Sequence, residues 1–339
     1  MRQARVRMIY NGVEITGDIS GDVRTFKYTA SASDEADTID VTLADPEKKW
    51  LLEWRPQPGD SITAAIELID WERDGDTRTI QCGRYILDEP GYSAPPHTQT
   101  LSAISVPCNT SFVCAEKSRT WTDAAISEIA AQIAAENAQA LYWDSAYDPR
   151  ITMEQTKTAD LDFIAKLCKD YTLRLKAADG QIVIYDPIAR EGQQPVMTIR
   201  ESGDTIRYSL QHTYLDTAYT DAEITTVDAD TGEYHMMEDT AKYQGLTEEE
   251  AKAKYGKTLT DEAAEITSDP ELVRRKLLTE RMKEYTASVV LPLTDRITEG
   301  CAVQLSGFGG WDANWIVDKM AVSLPENKMT LTLHKAVIE

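Results

Sequence analysis

The sequence predicts an α+β protein that is mainly β, with two related antiparallel β-barrel modules linked by a small α/β domain. Three observations support this prediction: a motif that recurs 230 positions apart, apolar and polar residues that alternate near both ends, and helical periodicity between them. The second barrel is predicted to be interrupted by a helical insertion. With 339 residues the chain is long enough for roughly two or three domains.

The repeated motif lies in residues 85–101 and again in residues 315–331. Self-similarity at a fixed separation indicates a duplicated structural unit. We therefore expect two superposable β modules, one near each end of the chain. The residues that match in register are Ile86 with Ile316, Asp88 with Asp318, Ser93 with Ser323, Pro95 with Pro325, Thr100 with Thr330, and Leu101 with Leu331.

Residues 1–106 are predicted to form the first barrel module. Val6, Met8 and Tyr10 recur at every second position and lead into Asn11-Gly12, which is a strong signal for a tight hairpin turn. Residues 39–43 alternate in the same way. Short strands separated by turns, without a long helix, are typical of an antiparallel barrel or sandwich.

Residues 107–200 change character and predict the α/β middle domain. Apolar residues in the segment 123–138 recur at helical spacing, so this segment should be an amphipathic helix with Thr122 or Asp123 as its N-cap. A second helix is expected to start at Thr158, whose hydroxyl can cap it.

The second barrel module is predicted to comprise residues 201–235 and 286–339. Residues 223–228 resemble residues 40–45, so we expect them to be the matching strand. Between the two parts lies the predicted helical insertion, residues 236–285, which is polar and prone to helix formation.

The insertion is charged on most faces, and at this size a stable core of its own is not expected. It should therefore pack on the middle domain or on a neighbouring protein, as a docking element outside the barrels. The apolar residues available for this contact are Leu272, Val273, Leu277 and Leu278.

The charge balance excludes some classes of function. The chain has 57 Asp and Glu against 35 Lys and Arg, a net charge of −22. Such a surface repels nucleic acid and anionic membranes, so sequence-specific nucleic-acid binding is not predicted. No apolar run approaches the roughly 20 residues that span a bilayer, so membrane insertion is not predicted. Five scattered cysteines and a polar N-terminus predict synthesis in the cytoplasm.

No motif in the sequence predicts an enzyme. Asp230-Thr231-Gly232 copies the aspartic-protease triplet, but that chemistry needs two such carboxylates, so we interpret the segment as a turn. The four histidines are far apart and form no metal-ligand spacing. We therefore expect no catalytic residue, no metal site and no cofactor.

Aromatic and apolar residues near predicted loops and in the insertion are the candidates for contacts with other proteins. The loop 307–311 is predicted to be a hairpin connection with an exposed aromatic pair. The tryptophans and the many acidic pairs leave a second function open, a carbohydrate-binding or carbohydrate-active β protein. The interface candidates are Trp50, Trp54, Phe308, Trp311, Leu272 and Leu277.

Three segments carry a resemblance to a known family. They are residues 36–43 with Pro58-Gly59-Asp60, residues 160–167 leading into 173–175 and Asp179-Gly180, and Glu299-Gly300 through 315–317 to 330–333. In their order and spacing they resemble the phage late control protein D family, the baseplate hub of contractile tails and related injection machines.

The resemblance implies a structural protein rather than an enzyme. It implies a homotrimer that adapts a threefold spike to a sixfold tail tube, with the tail tube protein, the central spike protein, the tape-measure protein and other baseplate proteins as partners. The chain would be made in the bacterial cytoplasm and assembled into a phage tail, a tailocin or a related particle. Given the net charge, we expect an acidic central channel.

Overall fold

A computed structural model describes residues 2–32, 35–105, 110–178, 181–213, 219–227, 234–240, 247–254, 256, 258–262 and 270–337. The first region is built from strands and one short helix. They are β1 (Gln3–Tyr10), β2 (Val13–Glu14), α1 (Thr16–Ile19), β3 (Val23–Ser31), β4 (Thr38–Ala44), β5 (Ser61–Ile69), β6 (Thr77–Ser93) and β7 (Thr98–Ile104).

The middle region alternates helices and strands. They are α2 (Thr110–Cys114), β8 (Glu116–Ala125), α3 (Ile126–Glu136), β9 (Ala140–Asp144), β10 (Arg150–Ala159), α4 (Asp160–Asp170), β11 (Arg174–Ala178), β12 (Gln181–Tyr185) and α5 (Pro187–Arg190).

The last region returns to strands. They and the helices among them are β13 (Met197–Arg200), α6 (Glu201–Asp204), β14 (Arg207–His212), β15 (Asp221–Val227), β16 (Tyr234–Thr240), α7 (Glu248–Lys254), β17 (Thr258–Glu262), α8 (Pro270–Arg281), β18 (Tyr285–Pro292), β19 (Ala302–Ser306), a 3₁₀ helix (Gly309–Trp311), β20 (Ala313–Leu324) and β21 (Lys328–Lys335).

Strands from both ends of the chain form one 13-stranded sheet. Its order is β14, β18, β21, β20, β3, β4, β7, β6, β5, β1, β2, with β19 paired to β20 and β13 paired to β19. The predicted fold class, α+β and mainly β with antiparallel pairing, is confirmed. The sheet also runs without interruption from one module into the other, through the pairing of β20 with β3.

The two modules have the same strand order. Across the sheet, the order in the first module is β3, β4, β7, β6, β5, β1, and the order in the second is β14, β18, β21, β20, β19, β13. In chain order, each strand of the first module therefore has a counterpart in the second: β1, β3, β4, β5, β6 and β7 correspond to β13, β14, β18, β19, β20 and β21. One difference is that β1 lies antiparallel to β5, whereas β13 lies parallel to β19.

The repeated motif forms the same hairpin in both modules. Ile86 pairs with Ile104 in β6 and β7, and Ile316 pairs with His334 in β20 and β21. In both hairpins the register shifts across the repeated aspartate, Asp88 or Asp318, which is therefore a bulge residue. A shared register with a shared bulge supports duplication more strongly than the sequence identities alone.

Alternation along the strands separates the core from the surface. On β4, Ile39, Val41 and Leu43 are fully buried, while Asp40 between them is exposed. Side chains of both modules lie in one hydrophobic cluster, which includes the fully buried Trp315. Burial of each large apolar side chain contributes about 1.5–3 kcal/mol to folding.

The middle region has a second hydrophobic cluster, to which α3 and α4 contribute their apolar faces. Both helices begin later than predicted. Thr122 and Asp123 belong to β8, and Thr158 belongs to β10, so none of them caps a helix. The strands run directly into the helices, and the N-cap positions are Ala125 and Ala159.

A buried carboxylate fixes the start of α4. Asp160 is fully buried and accepts hydrogen bonds from Lys117 (2.6 Å), Arg119 (2.6 Å), Asn137 (2.7 Å) and Gln155 (3.0 Å). Burial alone would raise the pKa of Asp160, but these donors lower it. The network ties β8, β10, α3 and α4 together.

The insertion contains strands as well as helices. The segment 223–228 was predicted to match residues 40–45. Its described part, residues 223–227, belongs to β15, which pairs with β16 and β17 in a separate sheet and not with the main sheet. The counterpart of β4 is β18 instead. The predicted turn at Asp230-Thr231-Gly232 lies outside the described residues. The local resemblance of residues 223–228 was misleading because strand position in a sheet is set by long-range pairing.

Helix α8 packs against the middle region. Leu272, Val273 and Leu277 are buried in the second hydrophobic cluster, beside residues of α3 and α4. This is one of the two packing partners expected for the insertion. Leu272 and Leu277 are therefore covered by the chain itself.

A buried ion pair fastens α8 in place. Arg275 is 3% exposed, and its guanidinium donates to both carboxylate oxygens of Asp186, at 2.9 and 2.6 Å, and to the hydroxyl of Thr172 at 2.9 Å. The same guanidinium lies 4.0 Å from the ring centre of Tyr147. Bidentate geometry of this kind is specific to arginine.

We predict that Arg275→Ala lowers the free energy of unfolding by about 3–5 kcal/mol, because it leaves the Asp186 carboxylate buried without its cation. The neighbouring Arg274→Ala is a matched control, since Arg274 forms an exposed ion pair with Glu271, and this substitution should cost less than about 0.5 kcal/mol. Urea denaturation followed by circular dichroism measures both. Equal losses in the two variants would contradict the role of this ion pair.

Candidate functional site: the junction between the two modules

The two modules meet where β20 pairs antiparallel with β3. Leu324 lies opposite Phe26, Val322 opposite Tyr28, and Lys319 opposite Ser31. The amide of Ala32 extends this pairing by donating to the carbonyl of Asp318 at 2.7 Å. The central side chains of this junction are buried, so the contact is core rather than surface.

Because of the bulge in β20, one edge of this strand pairs with two different strands along its length. The first half of β20 pairs with β19, and the half after the bulge pairs with β3 on the same edge. At the changeover Val317 exchanges backbone hydrogen bonds with Gly300 (2.7 Å) and Cys301 (3.0 Å). Bulges bend a strand and increase its twist, which allows the sheet to pass from one module to the next.

A buried lysine links both modules to the middle region at this junction. Lys176 of β11 is 9% exposed and contacts Asp37, just before β4, at 3.1 Å and Glu299, just before β19. Burial raises the pKa of Asp37, and Lys176 and the amide of Ser31 oppose that shift. One cation thus pairs with two carboxylates from different modules.

A buried histidine forms a second link. His334 of β21 is placed between Asp318, 2.7 Å from Nδ1, and Glu191, 2.8 Å from Nε2. Burial lowers the pKa of His334, but hydrogen bonds to the two carboxylates outweigh it and raise the value to about 10. The ring is therefore a cation at neutral pH and donates from both nitrogens.

A cavity of about 250 Å³ lies beside this histidine, between the second module and the middle region. Three of its charged lining groups, Glu191, Asp318 and His334, are bound to one another. The guanidinium of Arg190 lies 3.7 Å from the ring centre of Tyr185, whose hydroxyl donates to the carbonyl of Ala32. The junction therefore has the chemistry of a structural joint, with hydrogen bonds and ion pairs that fix orientation.

The predicted interface aromatics of the first module form one cluster with Tyr10. The ring centre of Trp50 is 6.1 Å from that of Tyr10 and 5.5 Å from that of Trp54. Trp50 itself is buried, because the carboxylate of Asp45 accepts from its backbone amide and holds the loop inward. The exposed large apolar residues of this loop are Leu51, at 43%, and Leu52, at 68%.

The predicted aromatic pair of the second module is less exposed than expected. Phe308 is buried and packs edge-on against Tyr208, with ring centres 5.0 Å apart. Trp311 stacks near Trp315 at 6.2 Å. As predicted, the loop connects the antiparallel strands β19 and β20. The six candidates do not form one site, since Leu272 and Leu277 lie in the other hydrophobic cluster.

Sequence reasoning did not single out the ion pairs at the junction. Asp37 and Glu299 lie in segments that carry the family resemblance, but nothing there marked them as partners of Lys176. The repeat contained one signal that sequence analysis could have used. Position 104 is Ile, whereas its counterpart is His334, whose ring contacts the repeated bulge residue Asp318. A polar residue that replaces an apolar one at a core position indicates a buried partner.

Within the described part of the chain, no group of three or more His, Cys, Asp or Glu side chains is arranged to hold a metal ion. Among the described helices, none has the length and apolar content needed to span a bilayer.

We predict that the stabilisation contributed by His334 depends on pH. Its pKa is higher in the folded chain than the usual 6.5, so its contribution is complete below about pH 6.5 and is lost as the pH rises towards 10. At pH 6 the free energy of unfolding of the wild type should therefore exceed that of His334→Gln by a few kcal/mol, which is the size expected for this pKa shift. The difference between the two proteins should be smaller at pH 10.

Chemical denaturation of both proteins from pH 6 to pH 10 measures this gap. Asp318→Asn is the control, because it removes one carboxylate and should move the loss of stability to lower pH. A gap that stays constant across this range would contradict a charged His334.

Comparison with known proteins gives the fold a context. No protein-family model matches the chain, and no curated protein sequence matches it. The solved structure of a tail protein from Neisseria meningitidis MC58 matches with a TM-score of 0.70 at 13% identity, covering 98% of this chain and 97% of that one. The 43 kDa tail protein of prophage MuSo2 from Shewanella oneidensis matches with a TM-score of 0.69 at 12% identity, covering 99% of each chain.

A third match comes from a secretion machine. The E. coli c3393 protein is described as a component of the type VI secretion system with structural similarity to the T4 bacteriophage tail proteins gp27 and gp5. It matches with a TM-score of 0.53 at 13% identity, covering 93% of this chain and 73% of that one. The chain therefore has the fold shared by phage tail proteins and this type VI secretion component, in agreement with the resemblance found in its sequence.

Proposed function

We propose that the chain is a structural hub of a contractile phage tail or tailocin baseplate, a homotrimer that adapts a threefold spike to the sixfold tail tube. The observation that carries this proposal is the duplicated module: two copies with one strand order lie side by side in one sheet. Three chains with two modules each would present six near-equivalent positions. The fold shared with phage tail proteins supports the same assignment.

The partners in this proposal follow from the position of such a hub. The tail tube would lie on one side of the ring and the spike on the other, with the tape-measure protein in the channel and other baseplate proteins outside. The joint formed by Lys176, Asp37 and Glu299 supports this role, because a ring under load needs modules held at a fixed angle. Such a role uses no catalytic residue.

We predict that the particle containing this protein has three copies of it in one ring. Single-particle imaging of the assembled particle gives the symmetry, and native mass spectrometry of the purified chain gives the mass of any free ring. Three chains with two modules each should appear as a pseudo-sixfold layer. A hub of two or six copies would contradict the proposal.

The channel of this ring is expected to be acidic, given the net charge of −22. An electronegative wall would repel DNA and keep it from adhering during ejection. The same images test this expectation, because a channel lined mainly by Lys and Arg would contradict it.

A further inference from the structure

The two modules are equivalent, but their sheet edges are not equally occupied. In the second module, the half of β20 after the bulge pairs with β3. Its counterpart in the first module is the half of β6 after its bulge, and no described strand pairs with that edge. At the far end of the same sheet, β14 is the counterpart of β3, and β18 is its one partner among the described strands.

We propose that these two edges bind each other between copies of the chain, so that β14 of one copy pairs with the second half of β6 of the next. The chain already contains a template for this contact, the pairing of β20 with β3. The inference rests on the proposed ring and specifies which strands form its contacts between chains and in what register.

The register follows from the template. Leu101 and its counterpart Leu331 lie opposite Val41 and Val289, so those two valines are counterparts as well. Phe26 lies opposite Val41 on β4, and Tyr208 lies opposite Val289 on β18, so Tyr208 is the counterpart of Phe26. The shared hairpin register makes Tyr92 the counterpart of Val322. If β6 and β14 pair in the same register as β20 and β3, Tyr92 of one copy lies opposite Leu210 of the next. In that register Ser93 lies opposite Ser209, and Gly91 lies opposite Gln211.

Burial agrees with a missing partner at both edges. Phe26 is fully buried, whereas its counterpart Tyr208 is 43% exposed. Val322 is fully buried, whereas its counterpart Tyr92 is only partly buried. Ile206, next to β14, is 52% exposed. Large apolar side chains exposed along a strand edge are typical of a surface that another strand covers.

The backbone of β14 is also oriented for such pairing. The amide of Thr213 donates to Glu284, which precedes β18, so by alternation along the strand the amides of Tyr208 and Leu210 point away from β18. On the opposing edge, Pro90 has no amide hydrogen and can offer only its carbonyl. A proline at this place restricts the edge and disfavours indiscriminate strand addition.

Disulfide trapping tests both the pairing and its register. Ser93 and Ser209 are exposed, and they form a non-hydrogen-bonded pair in the proposed register, whose Cα atoms lie about 4.5 Å apart. That distance is within the range that a disulfide spans. The purified full-length variant S93C/S209C is oxidised at its highest soluble concentration, and linked peptides are identified by mass spectrometry.

Three variants serve as controls. K27C/S323C carries the same pair at the template junction and should close within one chain, without any increase in mass. S93C/Q211C is displaced by two residues, about 7–8 Å between Cα atoms, and should not cross-link. S93C alone gives the background from native thiols such as the exposed Cys114.

We expect S93C/S209C to give dimers and trimers linked between positions 93 and 209, with at least a tenfold excess over S93C/Q211C and over the single variant. Failure to exceed these controls, while K27C/S323C closes, would overturn the proposed pairing. Preferential cross-linking of S93C/Q211C would overturn the register.

These experiments distinguish failure of the proposed ring of three chains from failure of the proposed pairing between β14 and β6. A trimer in native mass spectra without the bond between positions 93 and 209 would reject the edge pairing and leave the proposed function standing. Specific cross-links that continue into species larger than three chains would support the edge pairing and reject the closed ring of three.

Discussion

The pairing of β20 with β3 is the constraint on which the rest of the architecture depends. It turns two separate modules into one sheet and brings strands from opposite ends of the chain into contact. The middle region and the insertion lie between those ends in sequence, so they must leave the sheet and return to it. The links made by Lys176 and His334 then fix the middle region against the junction.

Charge is concentrated where the structural units meet. Lys176, His334 and Arg275 are all buried, and each is neutralised by carboxylates from a different part of the chain. Buried ion pairs add little net stability compared with apolar packing, but a broken one is costly, so they favour one arrangement over its alternatives. The two modules differ at one of these links: Glu191 binds His334, whose counterpart in the first module is Ile104, so the same pair cannot form with the first module.

The parts of the fold that local sequence controls could be predicted. The hairpin containing Asp88 and its repeat at Asp318, the alternating strands and the two helices of the middle region all follow from periodicity. The continuous sheet, the strand that fills the place opposite β4, and the partners of Lys176 could not be predicted, because they depend on contacts between distant positions. The burial of Phe308 and Trp50 depends on the same long-range packing.

The covalent link between the modules has a consequence for assembly at low concentration. Because β20 and β3 belong to one polypeptide, their pairing is intramolecular and does not depend on protein concentration. A ring made of single modules would need six contacts between separate molecules, each with its own loss of translational and rotational entropy. In the proposed ring of three chains, half of those contacts form during folding, so the ring would assemble at a lower concentration of chains.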